Sequence, residues 1–135
     1  MVYAVIDTNI FVSAFITKNA TVSTRRVINS LFAGKIKPLY NDEIIEEYSE
    51  VLHRSKFHLA DKDIQRLLYF IQINGIDSSR FPYDGDMPDE DDRVFYEVAL
   101  SEEDSFLVTG NLKHFPKTPK VVTASQMMEI LDYGE

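Results

Sequence analysis

The sequence predicts an α/β fold, a mainly parallel sheet with helices on both faces. Three observations lead there. Short apolar runs of the kind buried on both faces of a sheet recur along the chain, the first being VYAVI at residues 2–6. Longer segments with apolar residues at helical spacing alternate with them. Helix-capping and helix-stopping residues stand at joints between the two kinds of segment. Crossovers in such sheets are almost always right-handed, and ligands sit beyond the carboxyl ends of the strands.

VYAVI is the first predicted strand. TNIFVSAFI, residues 8–16, follows as a short helix, and residues 21–33 as a longer one that stops near Gly34. KIKPLYN, residues 35–41, reads as a second strand and hands over to a helix at Asn41, a good N-cap residue. That helix runs through DEIIEEYSEVLHR. The next fits DKDIQRLLYFIQI, with its stop at Asn74-Gly75. Residues 76–88 hold two prolines and the Asp84-Gly85 pair, and read as mostly loop. DEDDRVFYEVALSEE is a helix with an acid-loaded first turn. SFLVTG is a further strand and KVVT a last short one. Thr123 and Gln126 match a capping box that opens the final helix, ASQMMEILDY.

The 135 residues suit one domain, 1–135, with a substantial core. Hydrophobic residues make up 44% and charged residues 27%, an ordinary globular balance. No apolar stretch approaches the ~20 residues that span a bilayer, so no membrane association is expected. The apolar run at the N-terminus breaks at Asp7 and lacks a basic start, so no signal peptide is read and a cytoplasmic location is expected. There are no cysteines, which excludes disulfides, thiolate metal sites and cysteine nucleophiles. Lys plus Arg is 14 and Asp plus Glu is 22, a formal charge of −8. Such a chain binds polyanions poorly unless metal ions neutralise part of the acid or basic residues cluster locally. An acidic surface also suits a basic protein partner.

One acid poses the functional question. Asp7 stands where a buried strand hands over to a helix. Alone it would be a helix cap; several acids meeting there would be a metal site. Partners come from three other stretches. In the helix after Asn41 the apolar face is Ile44, Ile45, Tyr48, Val51 and Leu52. At about 100° per residue, Glu43, Glu46 and Glu50 point away from that face, while Glu47 sits at its border. In PDEDDRVFYEVA four acids crowd one turn before the apolar face of Val94, Phe95, Val98 and Ala99. The helix dipole accounts for one or two of them; the rest repel unless a cation is near. After the strand ending at Val108, Thr109 and Asn111 carry neutral oxygens that suit a hard cation directly or through water. Oxygen-only ligands suit Mg²⁺ or Mn²⁺, which polarise phosphoryl oxygens and lower the pKa of bound water.

VIDTNIFVSAF, EIIEEYSEVLHR, PDEDDRVFYEVA and LVTGNLKHF occur in the order and approximate spacing of PIN-domain proteins. Over roughly Val2 to Leu131 the chain resembles the VapC-like toxin components of toxin–antitoxin pairs. The resemblance implies a Rossmann-like three-layer α/β/α sandwich and a Mg²⁺- or Mn²⁺-dependent endoribonuclease that leaves a 5′-phosphate and a 3′-hydroxyl. It matches the family's first acid to Asp7, its helix acid to Glu47, its third acid to Asp92 and an earlier acid of that turn to Asp89. The fourth family acid falls on Asn111. A neutral amide binds metal more weakly than a carboxylate, and this departure bears on a second metal and on full activity. The resemblance also implies a cognate antitoxin that inserts Arg or Lys among the carboxylates, and a homodimer.

Each residue has a plainer reading. Asn9 either caps the next helix or supports the site by hydrogen bonding. Glu47 can be an ordinary surface glutamate, Asp92 a dipole-matching residue and Asn111 a turn residue. Arg54 and Lys113 are candidate RNA contacts, but equally a surface ion pair and a solvated turn residue; His114 reads as a turn residue too. The leading function is RNA hydrolysis by Asp7, Glu47 and Asp92, with Asp89 as a further ligand and Asn9, Thr109 and Asn111 assisting. A haloacid-dehalogenase-like phosphatase needs a second Asp two residues after the first, where Asn9 stands. A catalytically weak or inactive module that binds RNA or a protein is the alternative.

Overall fold

The computed structural model describes residues 1–134, and the last position of the expected 1–135 domain lies outside the described residues. In chain order the elements are β1 (Val2–Ile6), α1 (Thr8–Ile16), α2 (Ser23–Phe32), β2 (Ile36–Tyr40), α3 (Asp42–Leu52), α4 (Asp61–Asn74), β3 (Ile76–Asp77), α5 (Arg93–Leu100), β4 (Ser105–Val108), β5 (Val121–Val122) and α6 (Ala124–Gly134). Single 3₁₀ turns occupy Ser55–Phe57, Glu90–Asp92 and Leu112–His114. The five strands form one parallel sheet in the order β3-β2-β1-β4-β5. α2 packs on β2 with α1 and α6 alongside it; α4 packs on β2 and α5 on β1 and β4, with α3 against both. This is the predicted sandwich. Ala4, Val5, Ile6, Leu107 and Val108 are at most 1% exposed, as strands covered on both faces require.

The joints follow local chemistry. Asn41 caps α3, its side-chain oxygen accepting from the Ile44 amide at 2.9 Å. α2 ends in a Schellman motif. Gly34, at φ 82°, donates to the Leu31 carbonyl at 3.1 Å and Lys35 donates to that of Ser30 at 2.9 Å. The Thr123–Gln126 box forms in both directions, at 2.9 and 3.1 Å. Gly75 turns α4 into β3 so tightly that a Cβ there would stand 2.5 Å from the Ile71 and Pro38 carbonyl oxygens. β5 has only two residues, but Lys120 ahead of it is fixed. Its ammonium donates to the carbonyls of Glu102, Glu103 and Ser105 at 3.0, 3.2 and 2.7 Å and contacts the Ser105 hydroxyl at 3.2 Å.

Two expectations change. The stretch read as loop from residue 76 begins with β3, because Ile76 and Asp77 pair with Leu39 and Tyr40. The acid-rich turn expected to be α-helical is a 3₁₀ turn, capped by Asp89 accepting from the Asp91 amide at 3.0 Å, and the α-helix starts at Arg93. β4 ends at Val108, where the sequence places the end of the buried strand, and Thr109 and Gly110 turn toward β1 and α1.

Candidate metal centre

The chain runs outward from β1 to β2 and β3 on one side, and then to β4 and β5 on the other. The reversal falls between β1 and β4. In open parallel sheets the crevice for ligands lies at such a point, beyond the strands' carboxyl ends. Asp7 and Thr109 are the first residues past those two ends.

Asp7 holds the N-cap position of α1, yet its carboxylate makes no capping hydrogen bond. Its amide donates to the Val108 carbonyl at 2.9 Å and its Oδ2 accepts from the Thr109 hydroxyl at 2.7 Å. The side chain is therefore held across the β1–β4 seam. Burial pushes its pKa up, and the Thr109 hydroxyl offsets part of that rise. Asn9 Oδ1 accepts from the Gly110 amide at 3.1 Å, tying α1 to the turn after β4. The Asn111 amide donates to Thr109 Oγ1 at 3.1 Å, while Asn111 Oδ1 accepts from the Lys113 amide at 3.2 Å. Asp7, Asn9, Thr109 and Asn111 thus form one bonded unit.

Asp92 closes the opposite side. Its pKa rises to about 6, chiefly through burial, then through the charges of Asp7 and Asp89, with a smaller push from Glu47. His114 Nδ1 lies 3.4 Å from Asp92 Oδ2 and lowers that pKa somewhat. Glu47 is half-buried on α3. Its pKa is raised by burial, then by Glu50 and Asp91, with Asp7 adding a smaller push. The adjacent Tyr48 is buried, donates to the Ile6 carbonyl, and packs edge-on against Phe11 with centroids 5.0 Å apart. These contacts bind α3 to the end of β1 and fix where Glu47 stands.

Glu47 also lines a groove of about 360 Å³ between α3 and the start of α5, with Glu46, Glu50 and Asp91 among its walls. Arg80 is the cation in that wall. Its Nε donates to Glu97 at 2.6 Å and its Nη1 to Glu43 at 2.9 and 3.1 Å. Glu97 is 7% exposed and also accepts from the Tyr83 amide at 2.8 Å. Burial alone would raise its pKa, but the Tyr83 amide and Arg80 bring it below the ordinary range. Arg80 thus staples α3, through Glu43, to α5, through Glu97.

Asp89 is exposed and spends one oxygen on its turn cap. Arg54 pairs with Glu50 at 3.1 Å on the surface. Lys113 is exposed beside the Asn111 unit. Neither Arg80 nor Glu97 stood out in the sequence. The available signal was an acid set within the apolar face of VFYEVAL.

Among the described residues, no three acidic or histidine side chains come together closely enough to form a ready-made cage for an ion. The donor set nevertheless suits one class of ion. Asp7 and Asp92 are oxygen donors whose pKa values burial raises, with the charge of Asp7 adding to the rise at Asp92, and Mg²⁺ takes one or two carboxylates and keeps several waters. The hydroxyl of Thr8, next to Asp7, is buried with no hydrogen-bond partner, the single such side-chain atom among the described residues. An ordered water brought by a hydrated cation would supply a partner.

A family model described as PIN domain matches residues 3–113. No curated protein matches the chain.

Proposed function

The chain belongs to the PIN-domain family, and from that premise we propose that it is a divalent-metal-dependent endoribonuclease, the toxin of a toxin–antitoxin pair. PIN domains are generally nucleases that use divalent metals. The observation that carries the reading for this chain is the state of Asp92: burial first, and then the charges of Asp7 and Asp89, push its pKa up to about 6. Such carboxylates take up either a proton or a cation, and near neutral pH a divalent cation is the stronger partner.

Asp7, Asp92 and Glu47 would hold the ion, with Asp89 beside them. When bound, a divalent cation neutralises charge on a phosphoryl oxygen and lowers the pKa of a coordinated water. The chain's own part is orientation. The Val108 carbonyl holds the backbone amide of Asp7 and the Thr109 hydroxyl holds its Oδ2, which aims the carboxylate at the seam. Asn9 clamps the Gly110 turn, so β1 and β4 present their ends as one rigid edge. The acid-walled groove beside Glu47 and the −8 charge favour a basic partner, which motivates the antitoxin assignment.

The test joins calorimetric titration with Mn²⁺ to cleavage of mixed single-stranded RNAs. The wild-type protein should bind Mn²⁺ and cut RNA. Asp7→Asn, Glu47→Gln and Asp92→Asn should abolish cutting and weaken binding. Thr109→Val should cost about 10–100-fold in metal affinity, as loss of an orienting partner does. Free phosphate released from small esters would indicate a phosphatase instead. A neighbouring gene product that neither binds nor inhibits would remove the toxin assignment.

One observation favours a second reading, a PIN module that binds RNA or a partner without cutting it. Asn111 replaces the family's fourth acid, and its side-chain oxygen is engaged by the Lys113 amide. Intact RNA in saturating Mn²⁺, with Asp7→Asn indistinguishable from wild type, would establish that reading.

A further inference from the structure

Residues 113–120, KHFPKTPK, hold three lysines and a histidine and no acid, in a chain of net charge −8. The segment begins in the 3₁₀ turn Leu112–His114. One side of that turn meets the carboxylates, through His114 beside Asp92. The other side opens onto a second groove, about 750 Å³, lined by Leu112, Phe115, Pro116, Pro119 and Val122 with Lys113 and Lys117. That volume lies within the ~300–1,000 Å³ of small-molecule sites. Leu112 is 41% exposed there, with Phe115 and Val122 forming the floor at 5% and 6%. Lys113 and Lys117 are exposed and in no ion pair among the described residues. Lys120 is committed to backbone carbonyls and is not available.

We propose that this groove receives a nucleotide flanking the scissile phosphodiester of single-stranded RNA, its base against Leu112, Pro116 and Pro119 and its phosphates beside Lys113 and Lys117. Single-strand sites pair a basic track with apolar or aromatic platforms for bases. Here both stand together, on an acid-free stretch that meets the carboxylates through His114. The proposal rests on the nuclease reading above and names how that site grips its substrate. A protein strand added to the free edge of β5 is the competing occupant. β5 has two residues, too few for a lasting ladder, and an apolar groove flanked by two unpaired cations matches a nucleotide better.

The test uses fluorescein-labelled, mixed-sequence single-stranded oligoribonucleotides with Mn²⁺, the protein carrying Asp7→Asn to suppress cutting. Lys113→Gln/Lys117→Gln should weaken RNA binding about tenfold and flatten the plot of log affinity against log salt by about 1.4, two contacts at ~0.7 each. Leu112→Ser should weaken binding without changing that slope. Photocrosslinks from 4-thiouridine RNA should map to residues 112–122. With Asp7 intact, the lysine pair should keep the wild-type Mn²⁺ affinity, because neither lysine forms an ion pair with a carboxylate among the described residues. Unchanged affinity and slope in the lysine pair, with wild-type protein cutting RNA, would overturn the groove and leave the nuclease. No binding and no cutting by any form would overturn both. Crosslinks confined to another face, or a partner strand captured on β5 by a protein indifferent to RNA, would overturn the groove.

Discussion

Asp92 holds a proton more tightly when folded than when unfolded, with a pKa of about 6 against an ordinary 3.8. The folded state therefore binds the extra proton between those values, and stability falls as pH rises from about 4 to about 6, by on the order of 3 kcal/mol for a shift of ~2 units. Asp7 and Glu47 shift in the same direction and add to the fall. A divalent cation should reverse it. We expect Mn²⁺ to raise the melting temperature at pH 7 and to have little effect near pH 4, where protons occupy the carboxylates. Melting curves across that range with and without Mn²⁺ check this, and a midpoint indifferent to both pH and metal would count against the shared field. Asp7 was legible at this scale because a carboxylate directly after a buried strand is unusual. The Thr109 bond that aims it was not, since 102 residues separate the two.

At the scale of elements, Arg80 is the link with the most leverage. It joins α3, which carries Glu47, to α5, which follows Asp92. Arg80→Met leaves Glu97 buried with the Tyr83 amide alone, at a cost of about 2–3 kcal/mol. Denaturant midpoints should fall accordingly, and Mn²⁺ affinity with them if the staple sets the spacing of Glu47 and Asp92. Arg80→Lys should recover part of each, since one ammonium cannot fork to two carboxylates as a guanidinium does. Elements fixed by short-range chemistry were readable: Asn41, Gly34 and the Thr123–Gln126 box each act within a few residues. β3 was not. Its two residues are exposed, show no apolar alternation, and become a strand only because β2 lies alongside. The 3₁₀ turn at Glu90–Asp92 escaped for a related reason. Helix pattern and dipole matching describe such a turn as well as an α-helix, and the Asp89 cap decides between them.

For the molecule as a whole, the family match ends at residue 113 but the core does not. Phe115, Val121, Val122, Met127, Met128 and Leu131 are all buried, and α6 packs against α2. Each such side chain contributes about 1.5–3 kcal/mol of burial, and together they exceed much of the ~5–15 kcal/mol stability of a typical domain. A chain ending at residue 113 should therefore fail to fold, read as loss of cooperative melting by circular dichroism. A cooperative transition in that fragment would show that β5 and α6 are dispensable. The alternation of strands and helices announced the layered architecture because both periods are local. Strand order, and hence the seam that brings Asp7 beside Thr109, depends on which strands pair across the chain, and no local period encodes that.

The fastening of the last strand has a mechanical side. Lys120 grips three carbonyls and a hydroxyl at the turn that launches β4, which adds a point anchor ahead of the packed α6. Tension on the C-terminus meets the packing of α6 on α2 and the short β5 ladder first, and the four Lys120 contacts are the anchor that keeps β4 in place once those have given way.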